Sequence, residues 1–257
     1  MLWRESEKAM TFQYFLDTVE TIPQGVGWQL YDGVHLFWLC VFVLFLIFTC
    51  VRYCRADAAG RTKWRHGLAL AIVLDEVWKM VWLTIGNRWD ASYLPFHLCS
   101  INIILVAIHA WRPSRLLDNF LYLACIPGAA AAMLCCTWTE LPPLNFMCLH
   151  SFTVHILLTA YPLMLTVGGD LQPSLREVPR SILFVAAMAV PIYFINRALS
   201  TNFMFLMEAT AGSPLMLFEN WFGNHLIGYP FLIAAAVAVM YGLYYGLRRL
   251  TRRGQRA

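Results

Sequence analysis

The chain has 257 residues, of which 60% are hydrophobic and only 13% are charged. Soluble globular domains are about 45–50% apolar and about 25% charged, so this composition excludes an ordinary soluble protein and predicts an integral membrane protein. The formal net charge is +4, but no basic stripe interleaved with aromatic residues accompanies it, so we predict no binding to nucleic acid.

The N-terminal residues 1–33 are predicted to form an amphipathic segment outside the membrane. The charges of the first residues are mixed, and no short apolar core with a small-residue cleavage site follows them, so we predict no removable signal peptide. Apolar residues recur at helical spacing from Phe12 to Ile22. The segment 9–33 is therefore either a helix on the membrane surface or an arm that packs on the core.

Seven apolar stretches follow within residues 34–247, each close to the length of a helix that crosses a bilayer. The predicted spans are residues 34–51, 66–85, 94–109, 117–136, 146–167, 181–196 and 226–247. The predicted fold class is therefore an all-α membrane protein with seven transmembrane helices.

Basic residues predict the orientation of these spans. Most of the 19 Lys and Arg residues fall in the loop 52–65, in two later loops on the same side, and in the tail 248–257. Because basic loops stay in the cytoplasm, the tail is predicted to be cytoplasmic and the N-terminus to lie outside. An odd number of spans requires the same arrangement. We therefore predict a multi-pass protein of the cell membrane.

The cysteines do not indicate a metal site. Eight cysteines are present, and most of them lie in or at the ends of apolar runs, where a thiol behaves as a small hydrophobic group. Neither CxxC pairs nor His-x3-His spacing occurs in the sequence. We predict no bound metal.

The third span begins with an imidazole, a thiol and a hydroxyl close together, at His97, Cys99 and Ser100. An unpaired polar group in hydrocarbon costs several kcal/mol, so such residues usually face a bundle interior or a wet cavity and are functional candidates. The alternative interpretation is that a helix entrance near the headgroups tolerates polar residues because water is close.

A polar stripe runs along one helical face of the fifth span: Cys148, Ser151, His155 and Thr159. A polar stripe in lipid should face inward, which directs His155 into the bundle, whereas His150 lies off the stripe. A buried histidine with a purely structural hydrogen bond is the alternative interpretation of His155.

The second span carries charges near its middle. Asp75 and Lys79 are four positions apart, which predicts an ion pair between them. Glu76 projects from a different side of the helix and has no local partner, so it is a candidate to orient a histidine. We therefore expect Glu76, His97 and His155 to approach one another inside the bundle.

The order of these elements along the chain resembles the YwaF-like family of integral membrane proteins. The matching elements are Glu76, the stretch Leu94–Cys99, the stretch Phe152–His155, and Asn196 with the run Thr201–Leu206; His35 and Gly228-Tyr229-Pro230 also fit. That family is similar to a eukaryotic transmembrane acyltransferase that remodels ether phospholipids and, more distantly, to membrane threonine hydrolases that cleave fatty acid esters of hydroxy fatty acids.

This resemblance implies acyl transfer or ester hydrolysis inside the membrane, with a histidine that corresponds to His155. In the acyltransferase a cysteine immediately precedes the histidine of the third span, and here that position is Phe96. Cys99 is the nearest thiol, and Ser100 and Ser151 are the alternative nucleophiles. Because His97 and Cys99 are two positions apart on one helix, they point in nearly opposite directions, and His155 is the base that remains for Cys99, within about 4 Å.

We therefore predict a polar cavity that opens toward the outer leaflet. The candidate catalytic residues are His155, His97 and Cys99, and the candidate substrate-binding residues are Glu76, Asn196, Thr201, Asn202 and His35. Asn196 or Asn202 would donate a hydrogen bond to the oxyanion. The substrate would be a membrane lipid with an acyl chain, and no soluble cofactor is needed. The alternatives are a non-catalytic binder or transporter of a small polar or lipid ligand, and a structural partner subunit.

The topology is testable with inserted tags. A tag at the C-terminus is expected to be cytoplasmic and one in the loop 137–145 to be outside, because the basic residues segregate to one side. Accessibility of each tag to a membrane-impermeant reagent in intact cells is the measurement. Two tags on the same side of the membrane would contradict the topology.

Overall fold

The computed structural model describes residues 12–210 and 213–254, and every regular element in these ranges is helical. The helices are α1 (Gly33–Arg55), α2 (Ala58–Ile85), α3 (Leu98–Trp111), α4 (Arg115–Leu134), α5 (Phe146–Gly168), α6 (Val178–Leu199), α7 (Leu215–Phe222) and α8 (Gly228–Gly254). Residues 1–11 of the predicted N-terminal segment and 255–257 of the predicted tail lie outside the described residues.

Six helical stretches of the described chain are long and apolar enough to cross a membrane. These are Gly33–Arg55, Ala91–Trp111, Arg115–Leu134, Phe146–Gly168, Leu175–Leu199 and His225–Arg249. The remaining long helix, α2, has 28 residues but carries three charged side chains near its middle, which separates it from this set. The chain is a multi-pass helical membrane protein.

Helix α5 is the centre of the bundle. Of its apolar stretch, 72% is buried, compared with 17% for α1 and 11% for the stretch that contains α6. It packs against α1, α2, α3 and α4. The contact with α1 includes a parallel stack of Trp38 on Phe152, with ring centroids 4.7 Å apart. Polar side chains on α5 must therefore find their partners within the protein.

Helix α4 contains a π-helical turn at Leu121–Cys125. Pro127 follows this turn, and a proline ring inside a regular helix would clash with the carbonyl group four residues earlier and would donate no N–H. The wider turn accommodates the proline. It also presents the Tyr122 hydroxyl, which donates to the Met240 carbonyl oxygen of α8. The irregular turn thus provides the contact between α4 and α8.

The described part of the N-terminal segment is a packing arm and not a long surface helix. Its regular structure is one 3₁₀ turn at Phe12–Tyr14. Asn145, at the start of α5, donates to the carbonyl oxygens of Tyr14 and Asp17 at 2.7 and 2.8 Å. Gly27 packs against the loop 137–145 that precedes α5. A Cβ atom at position 27 would lie 2.1 Å from the Thr139 carbonyl oxygen. Direct backbone contact therefore holds the arm to the bundle.

At the opposite end of the bundle, two loops that the basic residues assign to one side meet each other. Arg61 Nη1 donates to the Gly168 carbonyl oxygen at 2.9 Å and lies 3.3 Å from the Asp170 carboxylate. The Tyr53 hydroxyl donates to the same carboxylate. These contacts join the ends of α1, α2 and α5.

The close packing at this end is testable with Gly168→Ala. The added Cβ would lie 2.6 Å from the Tyr53 ring, which is 1% exposed and has no room to move. We expect a loss of about 1–3 kcal/mol, seen as a lower midpoint of thermal denaturation in detergent. Gly67→Ala is the matched control, since nothing lies within 4 Å of its Cβ position. Equal midpoints for the two variants would contradict the packing.

Candidate active site

Cys99 of α3 and His155 of α5 form a hydrogen-bonded pair. The Cys99 Sγ lies 3.1 Å from His155 Nε2. The other ring nitrogen, Nδ1, lies 2.6 Å from the backbone carbonyl oxygen of Ser151. A carbonyl oxygen only accepts, so this contact assigns the proton of the neutral ring to Nδ1 and leaves the Nε2 lone pair facing the thiol. A base needs this arrangement to take a proton from a nucleophile.

The orientation of the His155 ring has two local causes. Side chains on an α-helix lean toward its N-terminus, so a histidine reaches the carbonyl group of the residue four positions earlier, which here is Ser151. The Trp138 ring stacks on the imidazole, with centroids 5.2 Å apart and an interplanar angle of 12°. The hydrogen bond and the stack together hold the imidazole plane.

Cys99 lies in the first turn of α3. His97 is the N-cap residue of this helix, and its side chain makes no capping hydrogen bond. The backbone N–H groups of a first turn have no partner inside the helix, and they give the N-terminus a partial positive charge. This position favours negative charge on the Cys99 sulfur or on an atom bound beside it.

A cavity of about 480 Å³ lies next to the pair, within the range of about 300–1,000 Å³ that is typical of small-molecule sites. Its polar lining consists of Lys79, Ser92, Tyr93, His97, Ser100, Thr137, Trp138 and Ser151. Trp138 and Ser151 are also the residues that orient His155, and Ser100 follows Cys99 in the chain. Cys99 and His155 are not themselves lining residues, and the cavity reaches the pair through these three neighbours.

His97 lines the same cavity, but the hydrogen bond to His155 comes from Cys99. Its ring lies edge-on to Phe203, with centroids 5.1 Å apart, and 6.0 Å from the ring of Phe205. The structure therefore brings Cys99 and His155 together directly, and it brings His97 to the wall of the cavity beside them.

The predicted ion pair between Asp75 and Lys79 is wrong. Lys79 Nζ lies 2.6 Å from Glu76 Oε1, three positions earlier. Asp75 faces α5, where its Oδ2 lies 2.8 Å from His150 Nδ1. The angles at these two atoms are not those of a hydrogen bond. His150 Nε2 also lies 3.7 Å from Glu76. Glu76 therefore meets Lys79 and His150, where a meeting with His97 and His155 was expected.

Asn196, Thr201 and Asn202 fold the loop that follows α6. Asn196 Oδ1 accepts from the Phe203 N–H at 2.8 Å and from Thr201 Oγ1 at 2.9 Å, and its Nδ2 donates to the Phe203 carbonyl oxygen at 3.0 Å. Asn202 accepts from the Met207 N–H at 3.0 Å. These side chains stabilise the loop in which Phe203 packs against His97. They therefore act on the site indirectly, by positioning Phe203.

His35 is fully buried at the start of α1 and has no ring nitrogen free for a substrate. Its Nδ1 accepts from the Tyr31 N–H at 2.9 Å, and its Nε2 donates to the Met133 carbonyl oxygen at 2.8 Å. The residue joins the beginning of α1 to the end of α4, which gives it a structural role.

Trp138 is a site residue that the sequence did not single out, and Phe203 was named only as part of the run Thr201–Leu206 and not as a site residue. Trp138 lies in a loop that contains both polar and apolar residues, and Phe203 belongs to a run of aromatic residues after the sixth span. The signal that the residue itself gave, in each case, was an aromatic side chain in a segment that also carries polar residues. That signal does not distinguish these two from the neighbouring aromatic residues.

The fold and this geometry define a class of protein: a multi-pass helical membrane protein whose central helix presents a histidine to a cysteine in the first turn of a neighbouring helix. The sequence model of the TMEM164 family matches residues 30–241, and the chain belongs to that family. The match includes Cys99, His155 and the loop that carries Phe203. Neither a search of curated proteins nor a search of solved structures finds a match.

The contact between Cys99 and His155 predicts the reactivity of the thiol. His155→Ala should slow alkylation of Cys99 by iodoacetamide by about tenfold or more, because the thiolate is the reactive form and loses its partner. The measurement is the rate for the Cys99 peptide by mass spectrometry, with exposed Cys135 as internal reference. His150→Ala, a second buried histidine of α5, is the control, and equal rates in both variants would contradict the pairing.

Proposed function

We propose that this protein transfers or hydrolyses the acyl group of a lipid ester within the membrane, with Cys99 as nucleophile and His155 as general base. The observation that carries the proposal is the 3.1 Å contact between Cys99 Sγ and His155 Nε2, with Nδ1 held by the Ser151 carbonyl oxygen. The adjacent cavity and the resemblance of the sequence to membrane acyltransferases support the same reaction class.

In the first step, Sγ attacks the ester carbonyl carbon while the thiol proton moves to His155 Nε2. The former carbonyl oxygen then carries negative charge, and we assign its stabilisation to the first-turn N–H groups of Cys99 and Ser100, which the N-cap side chain does not occupy. When the C–O bond breaks, the imidazolium gives its proton to the leaving alkoxide. The products are an acyl thioester on Cys99 and a free lipid alcohol.

In the second step, water or the hydroxyl of another lipid attacks the thioester. His155 Nε2 takes the proton of the attacking group, the C–S bond breaks, and the imidazolium returns the proton to the thiolate. Water gives hydrolysis, and a lipid alcohol gives acyl transfer. The acyl group arrives as part of the lipid, so the reaction needs no soluble cofactor.

The proposal includes a topology. The chain would cross the cell membrane seven times, with the N-terminus outside and the C-terminus in the cytoplasm. Helix α2 is the additional span, since its 28 residues are long enough and the charges near its middle have neighbours of opposite or titratable character, Lys79 beside Glu76 and His150 of α5 beside Asp75. The cavity then lies on the outer side, where Ser92 and Thr137 belong to its wall.

The proposal is testable by trapping the acyl-protein. Wild-type protein in vesicles should become labelled by phosphatidylcholine with a radioactive acyl chain, through a thioester that neutral hydroxylamine cleaves. Cys99→Ala should abolish the label, and His155→Ala should lower its rate by about 10²–10⁴-fold, since the general base is lost.

Cys125→Ala is the matched control for the thiol. Cys125 is buried, and its Sγ donates to the Leu158 carbonyl oxygen at 3.3 Å, so its loss should leave the label unchanged. Saturable binding of the lipid without any hydroxylamine-sensitive label would contradict acyl transfer. That result would favour the binding or transport of a lipid ligand.

A further inference from the structure

The loop between α6 and α7 has a costly backbone conformation. Ser200, Met204 and Phe205 have φ angles of 54°, 55° and 52°, which are left-handed values on residues other than glycine. This conformation is unfavourable for a residue with a Cβ atom, because the Cβ comes too close to the following carbonyl oxygen. Conformations of this kind persist only where the surrounding structure holds them in place, and they are concentrated at functional sites.

Side chains at the start of α8 and in the turn just before it hold this loop. The Tyr229 hydroxyl donates to the Met204 carbonyl oxygen at 2.6 Å, and His225 Nε2 lies 3.0 Å from the Phe205 carbonyl oxygen. The His225 N–H donates to Glu219 Oε2 of α7 at 2.7 Å, and His225 Nδ1 lies 3.1 Å from the same oxygen. The strained loop is therefore linked through His225 to α7.

The loop covers one side of the cavity wall. Phe203 is completely buried and packs edge-on against Phe96 and His97, with centroids 5.4 and 5.1 Å apart. His97 lines the cavity, and Cys99 lies two residues further along the chain. A displacement of the loop would therefore change the surroundings of His97 and the access to Cys99.

Helix α7 turns an apolar face away from the protein. Leu217 and Trp221, one helical turn apart, are 51% and 71% exposed. On the inner side, Phe218 stacks on Phe231 of α8 at 5.4 Å and lies so close to Gly228 that a Cβ there would be 2.7 Å from its ring. Phe231 is itself 60% exposed on a helix apolar enough to cross the membrane. The apolar face of α7 thus continues the lipid-facing surface of α8.

A lipid surface is the partner that this face fits. Helix α7 has eight residues, which is too short to cross a bilayer, and it is joined directly to the membrane helix α8. The sequence 199–225 contains no Lys or Arg, so attraction to an anionic surface does not contribute. Exposed tryptophan and phenylalanine next to a membrane helix are typical of the boundary between headgroups and acyl chains.

We propose that α7 lies in the headgroup region of the leaflet on the cavity side and, through Glu219, His225 and Tyr229, holds the Phe203–Phe205 loop against His97. The bilayer thereby becomes part of the support of the site. This inference goes beyond the proposed reaction and does not depend on it, because it concerns the position of α7 and the access to Cys99. Both are measured below without turnover.

The position of α7 is measured by the fluorescence of Trp221 in phosphatidylcholine vesicles. The chain has ten tryptophans, so the difference between wild type and Trp221→Phe isolates this residue. We expect the difference signal to be lost with lipids brominated high in the acyl chain and to be retained with aqueous iodide. Loss with iodide, or retention with both quenchers, would overturn the placement of α7 in the lipid interface.

The link to the site is measured by alkylation of Cys99 with N-ethylmaleimide in the same vesicles. Tyr229→Phe removes the hydrogen bond to Met204, worth about 0.5–1.5 kcal/mol, so we expect alkylation to become about two- to tenfold faster. Trp221→Ser should act in the same direction because it weakens the hold of α7 on the lipid. Exposed Cys135 serves as the internal reference.

The controls are Tyr122→Phe, which removes a hydroxyl bonded to Met240, and Trp89→Ser, which removes a tryptophan that is 45% exposed outside α7. Both should leave the Cys99 rate unchanged. If Tyr229→Phe does not fold, Trp221→Ser decides the test, since it alters a surface side chain. An unchanged rate in Trp221→Ser would overturn the link, whatever the outcome for acyl transfer.

Discussion

The cost of an unpaired polar group in hydrocarbon is the constraint on which this structure depends. Helix α5 lies at the centre of the bundle, and its polar side chains find partners on neighbouring helices or, like Thr159, on the backbone of α5 itself. His150 lies at ion-pair distance from Asp75 of α2, and His155 is hydrogen-bonded to Cys99 of α3. Near the other end of α5, Tyr161 meets His109 of α3 at 2.9 Å. Contacts at several depths thus bind α2 and α3 to α5.

These contacts also determine where Cys99 and His155 meet. Because His155 and Tyr161 both have partners on α3, the position of α3 along α5 is defined at two points, and the first turn of α3 comes to lie beside the imidazole. The N–H groups of that turn, which no side chain caps, then lie at Cys99, and its neighbour Ser100 belongs to the cavity wall. Packing that satisfies buried polar groups therefore produces a thiol, a base and a positive helix terminus in one place.

The strained loop after α6 is held in place by contacts outside α5. Its left-handed residues raise the energy of the backbone, and hydrogen bonds from Asn196 and Tyr229 offset that cost from two separate helices. The result is an aromatic wall at Phe203, whose position depends on contacts from outside the central bundle. A site wall held in this way responds to changes at the membrane surface, whereas the Cys99–His155 contact is held by the bundle itself.

The sequence alone determined that this is a helical membrane protein, and it predicted α5 closely and the inward direction of His155, because length, hydropathy and helical spacing are local properties. It also pointed to His155 as the base for Cys99. Only the tertiary structure decided that Lys79 pairs with Glu76, that Asp75 faces His150, and that Asn196 folds a loop. Each choice depends on the rotation and depth of one helix against another, and residue spacing within a single helix defines neither.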